Sequence, residues 1–162
     1  MKRLICSSVI LLALICGPTE RRVHASDTNL QHSFSSWDHF SFKIEDTKCR
    51  ISIASVKLSV SELTPQDGNL VATYTINVPL KPSENDQGLI VLPIDLTVDQ
   101  LHEHGGVLRG KAHSYQTGRV PSTIICEIGS NQTKSIQLKI ITIKRTMNFK
   151  SRYTMTESND GS

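Results

Sequence analysis

Hydrophobic and polar residues alternate along most of this chain beyond its first forty positions. Phe40, Phe42 and Ile44 occupy every second place, and so do Cys49, Ile51 and Ile53. Val56, Leu58 and Val60 continue in the opposite phase. A period of two sends side chains to alternate faces of a β-strand, so each set predicts one buried face. The phase slip near Ala54-Ser55 predicts a bulge or a crossing between sheets. The cleanest alternation is Leu70, Ala72, Tyr74, Ile76 and Val78. Ile90, Leu92, Ile94, Leu96 and Val98 form another, in which Pro93 predicts an edge or a bulge. Weaker strand patterns run near residues 107–115 and 123–129, and Ile136, Leu138, Ile140, Met147, Phe149 and Tyr153 close the series.

Turn residues separate these runs. Gly, Pro, Asn, Asp and Ser cluster at 64–69, 81–88, 105–106, 116–118 and 129–131. About seven or eight short strands with such loops predict an all-β, antiparallel β-sandwich over residues 39–153. Residues 26–38 read as a polar leader and 154–162 as a flexible tail. Cys49 and Cys126, 77 positions apart, give the pattern an architecture that resembles immunoglobulin domains. The marks of a true member are missing. Trp37 precedes Cys49 where a Trp should follow it, and Ile124 stands where the corner Tyr would be.

The start of the chain is an address. Lys2 and Arg3 precede an apolar run from Leu4 to Cys16 that ends at Gly17-Pro18. Such a run is shorter than the roughly 20 residues a bilayer span needs, and the layout is that of a secretory signal peptide. Val23-His24-Ala25 supplies small residues for cleavage, so residues 1–25 form the signal and Ser26 the mature start. A lipid-modified Cys16 is the alternative, opposed by Ile15 where a small residue is wanted. The expected location is exported: periplasmic, cell-surface or extracellular, with no membrane span after cleavage.

Export changes the charge and cysteine readings. The whole chain carries a formal net charge of +3. Cleavage removes Lys2, Arg3, Arg21 and Arg22 against Glu20, which leaves basic and acidic residues in balance. No nucleic-acid partner is therefore expected. The remaining charge is uneven: residues 26–103 hold 5 basic and 11 acidic side chains, residues 104–162 hold 9 and 3. Two halves that attract one another, or a basic outer face, would each account for this. Only Cys49 and Cys126 survive cleavage, and an oxidising compartment predicts a disulfide between them.

Few residues carry candidate chemistry. His102 and His104 would face one side of a strand, with His113 on the next, and could together bind Zn or Cu. The His-x-His spacing resembles the copper strand of Cu,Zn superoxide dismutases over these residues alone, with no match for the other ligands. A local alternative competes. Thr97 and Gln100 have capping-box spacing and Gly105 can end a helix, so Val98 to His104 can form a short helix. That would turn His102 and His104 about 200° apart. Lys139, Lys144, Arg145, Lys150 and Arg152 are interleaved with apolar residues near the C-terminus. They are either charges that guard an edge strand or a polyanion-binding patch for an acidic glycan or another anionic surface. No phosphate loop and no nucleophile elbow occurs. The expectation is an exported, non-catalytic binding or structural accessory module whose partner is a protein or glycan. A metal-binding protein or metalloenzyme using the His cluster, and a carrier of an apolar ligand, are the alternatives.

Overall fold

The computed structural model describes residues 37–157. The predicted signal peptide and most of the polar leader lie outside the described residues. Ten strands follow one another: β1 (Phe40–Ile44), β2 (Thr47–Ile51), β3 (Ala54–Val60), β4 (Thr64–Gln66), β5 (Asn69–Asn77), β6 (Asp86–Pro93), β7 (Gly106–Ser114), β8 (Ser122–Ile128), β9 (Ser135–Ile141) and β10 (Thr146–Glu157). A 3-10 turn (Pro82–Glu84) precedes β6, and the one α-helix among the described residues, α1 (Val98–His104), joins β6 to β7.

All ten strands belong to a single antiparallel sheet in the order β1-β10-β9-β8-β7-β6-β5-β3-β2, with β4 paired to β5. The sheet curls into a half-barrel. The expected two-sheet sandwich is thus overturned. Alternation marks which face of each strand is buried, and it is the same whether that face meets a second sheet or the far side of its own. In β5, for example, Leu70, Ala72, Tyr74 and Ile76 all point into the curl.

Two glycines permit the bend. A Cβ on Gly88 would lie 1.9 Å from the carbonyl oxygen of His113, and one on Gly110 would lie 2.0 Å from that of Val91. Only a residue without a side chain allows β6 and β7 to approach so closely. The β6–β7 ladder spans Gly88 to Val91, whereas β6 stays paired with β5 as far as Pro93. The edge foreseen at Pro93 is therefore local, where β7 has parted from β6.

The curl brings the ends of the sheet together. β1 and β2 form one interrupted run along β10, with β1 laddered to Tyr153–Glu157 and β2 to β3. Beyond β1 the seam is held by the Glu45 N–H to Arg152 O (3.1 Å), Ser151 Oγ to Glu45 O (2.7 Å) and Thr47 Oγ1 to Lys150 O (2.6 Å). A bridge between Phe42 and Leu63 adds a further tie. Residues 154–157, expected in a tail, are strand paired to β1. The phase slip after Ile51 is a two-residue reversal between β2 and β3, with Ser52 at φ +55°. Ile53, expected in the buried row of β2, is the exposed tip of that turn.

One end of the half-barrel is plugged. Trp37, placed by the sequence in a polar leader, is fully buried there. Its Nε1–H donates to Leu96 O at 2.9 Å, and its ring lies 5.6 Å from that of Phe42, which lies 5.8 Å from Tyr153. α1 closes over this end with Val98 and Leu101 buried. Its capping box is formed as the spacing of Thr97 and Gln100 predicts, and the Gly105 N–H bonds to Leu101 O at its end. Urea unfolding should show Trp37→Ala losing about 3–5 kcal/mol, as an aromatic truncation in a filled core does. Gly110→Ala should lose about 1–3 kcal/mol by forcing β6 from β7. A loss below about 1 kcal/mol for Trp37→Ala would contradict its place as the plug.

Candidate functional site

The opposite end of the half-barrel is open. Here the inward positions carry smaller side chains, among them Val56, Val78, Ala112 and Ser122, and the interior is not filled. A cavity of about 370 Å³ results. Ile51, Ile76, Ile140 and Met147 line its apolar body. Its rim is built from the 3-10 turn and from the loops between β7 and β8 and between β9 and β10. A second depression at the seam, between Lys48–Ile51 and the start of β10, is lined mostly by polar and charged residues.

Asp86 fastens the rim. Its Oδ2 accepts from the Tyr74 hydroxyl at 2.9 Å, and its Oδ1 accepts from Ser114 Oγ at 2.5 Å and from the Gln87 N–H at 3.0 Å. Arg119 reaches the same carboxylate at 3.3 Å. One carboxylate thus ties β5, β6, β7 and the following loop together. Burial, reinforced by the Asp86 carboxylate, holds the Tyr74 phenol well above its ordinary pKa. Across the mouth, Arg145 pairs with Glu84 at 2.6 Å. Burial draws the Glu84 carboxyl up, but Arg145 and Lys81 outweigh it, so its pKa lies below the usual carboxylate value. Ser114 and Asp86 are two members of a Ser–His–Asp set without the imidazole. His113 adjoins Ser114 in sequence but is exposed on the other face of β7.

The sequence-derived candidates fall elsewhere. His102 and His104 lie on α1, where helical spacing turns them apart, and His113 lies on β7. Among the described residues no three His, Cys, Asp or Glu side chains are grouped to hold a metal ion. The basic series is split. Lys139 is on β9, Lys150 and Arg152 are on β10, and Lys144 and Arg145 stand at the open mouth.

Cys49 and Cys126 are free thiols, so the expected disulfide is not present. Cys126 is buried in the apolar core and Cys49 packs half-buried against it, but Cys49 is on β2 and Cys126 on β8. Even across the seam, β10 and β9 stand between them. Three strand spacings are on the order of 14 Å along the sheet. A disulfide needs Cα atoms within about 7 Å. Burial raises the Cys49 thiol, opposed by the Asn148 N–H, and pushes Cys126 up to about 12.

The loops differ in charge by end. At the mouth, Lys81, Arg119, Lys144 and Arg145 stand against Glu84 and Asp86. At the plugged end, Asp38, Glu62, Asp67, Asp95, Asp99 and Glu103 stand against Lys134. Neither the cavity nor this polarity was read from the sequence. The signal for the cavity was the small inward residues Val78, Ala112 and Ser122 beside the β5–β6 and β7–β8 loops. The chain matches no protein-family model, no curated protein and no solved structure.

Thiol titration of the denatured, unreduced protein should find both Cys49 and Cys126 reactive, while Cys126 stays protected in the folded state. A peptide linking the two would contradict this arrangement. Alkali should also destabilise the protein. A thiol whose pKa is raised on folding from 9.0 to about 12 contributes stability that is complete below about pH 9 and is lost as pH rises towards 12. Tyr74 acts in the same direction at higher pH. The urea midpoint should fall over that window, and less steeply in Cys126→Val.

Proposed function

We propose that this is an exported, non-catalytic binding protein that holds a small, mainly apolar molecule in the open end of its half-barrel. The observation that carries this reading is the unfilled cavity, apolar in its body and charged at its rim. Its volume of about 370 Å³ lies within the range of small-molecule sites, roughly 300–1,000 Å³. At about 30 Å³ per water-sized unit, it holds about a dozen heavy atoms. A chain of eight to ten carbons is of that size. At about 0.8 kcal/mol per methylene withdrawn from water, it would gain roughly 6–8 kcal/mol before the cost of association. Export is supported by Lys2-Arg3 and the short apolar run after them.

The absence of catalysis is part of the proposal. Two carboxylates stand at the mouth: Asp86 is engaged by Tyr74, Ser114, Gln87 and Arg119, and Glu84 by Arg145 and Lys81. A carboxylate so occupied positions the rim instead of moving a proton.

An environment-sensitive apolar dye should bind the protein and be displaced by medium-chain amphiphiles. Ser122→Trp, which fills the cavity from the start of β8, should weaken dye binding at least about tenfold. Its urea midpoint should stay close to that of the parent. Equal dye binding by parent and variant would remove the cavity as the site. Native mass spectrometry should show a small apolar adduct on gently purified protein.

A further inference from the structure

The described residues include six large hydrophobic side chains with high exposure: Ile53, Leu80, Val107, Tyr115, Val120 and Ile143. Single exposed apolar residues are ordinary on protein surfaces. Their placement here is not scattered. Ile53 tips the β2–β3 turn, Leu80 the β5–β6 loop, Tyr115 and Val120 the β7–β8 loop, and Ile143 the β9–β10 loop. These four connections all lie at the open end. Only Val107, the least exposed of the six at 42%, starts a strand at the plugged end. Ile143 and Ile53 are 87% and 83% exposed. The cavity mouth is thus ringed by apolar tips held up into solvent.

Charge is sorted along the same axis. The loops of the mouth carry a surplus of two positive charges, from Lys81, Arg119, Lys144 and Arg145 against Glu84 and Asp86. The loops of the plugged end carry a surplus of five negative charges, from Asp38, Glu62, Asp67, Asp95, Asp99 and Glu103 against Lys134. Near an anionic surface such a molecule turns its mouth inward and its plugged end away. We infer that the open end of the half-barrel docks on an anionic lipid surface. The tips of the four loops enter the headgroup layer, and the rim's surplus positive charge, with Lys144 beside the Ile143 tip, faces the lipid phosphates, while Lys81, Arg119 and Arg145 stay engaged by Glu84 and Asp86.

Charge and apolar pattern together decide between occupants. Two copies meeting mouth to mouth would set positive rims against each other. Two copies meeting mouth to plugged end would pair opposite charges, but they would bury the apolar tips against the acidic loops around Asp95, Asp99 and Glu103, where Val107 is the one exposed large hydrophobic side chain among the described residues. A lipid surface with anionic headgroups supplies both what the tips and what the cations need. Val120, Ile143 and Lys144 also border the cavity mouth, but the inference uses only their exposed outer faces and does not require the cavity to take a ligand.

Sedimentation with lipid vesicles tests it. Vesicles of equal parts phosphatidylglycerol and phosphatidylcholine are compared with vesicles of phosphatidylcholine alone, at low and high salt. Each basic residue near an anionic leaflet strengthens binding about fivefold, so a surplus of two predicts roughly 25-fold tighter binding to the anionic vesicles. High salt should remove most of that difference. Ile143→Asp and Val120→Asp, both at exposed tips, should each weaken binding about tenfold or more with an unchanged urea midpoint. Lys144→Glu should reduce the preference for anionic vesicles, and Glu103→Lys at the plugged end should leave the tip-dependent binding in place. Equal binding to both vesicle types, no binding to either, or parental binding by Ile143→Asp would overturn the inference. So would a concentration-dependent dimer in sedimentation velocity that Ile143→Asp abolishes, since the tips would then serve a second copy. Ser122→Trp separates the two readings, since it fills the cavity without altering a tip: it should lose the dye and keep vesicle binding.

Discussion

A sheet that curls on itself must cover its inner face from within, and the rest of this structure follows from how unevenly that is done. At one end Trp37, Phe42, Phe149, Leu101 and Leu108 fill the interior completely. The Trp37 indole also satisfies its own N–H on the Leu96 carbonyl, so a large apolar ring is buried without stranding a donor. At the other end several inward residues are short, such as Val56, Val78, Ala112 and Ser122, and among the described residues no large side chain plugs the opening. The same wall of strands therefore makes a packed core below and a cavity above.

The curl itself depends on close contact between backbones at two points. Gly88 and Gly110 let β6 and β7 approach to a distance that any side chain would forbid. At the seam, beyond the β1–β10 ladder, Glu45 and β2 meet β10 through single hydrogen bonds and not through a ladder. Exposed pairs such as Lys81–Glu84 contribute little to such an architecture. Asp86 differs because it gathers donors from several elements at the mouth, where the core offers no packing to hold the rim in shape.

The distribution of charge acquires meaning only through the connectivity. Along the chain the acids are concentrated in the first part and the bases in the second. In a meander, successive loops fall on opposite ends of the sheet, so linear halves do not become spatial halves. The acidic connections around Glu62, Asp67 and α1 gather at the plugged end, while Arg119, Lys144 and Arg145 gather at the mouth. The exposed apolar tips share the mouth with those cations. An open cavity and a rim that carries both cations and exposed apolar tips are thus consequences of one topology.

The sequence by itself determined what depends on near neighbours. Alternation marked nearly every strand and its buried face, from Leu70 to Ile76 and from Ile136 to Ile140. Thr97 and Gln100 announced a helix that forms with its capping box complete. Both signals are local, set by side chains within a few residues of each other. Tertiary structure alone decided which strands became neighbours. It made one curled sheet where a sandwich was expected, kept Cys49 and Cys126 as separate thiols, and sent Trp37 from a polar segment into the core. It also assembled the cavity from β2, β3, β5, β6, β7, β8, β9 and β10, no one of which shows the whole site. The physical reason is that alternation fixes the side of a strand but says nothing of the strand beside it, and a cavity is a property of neighbours.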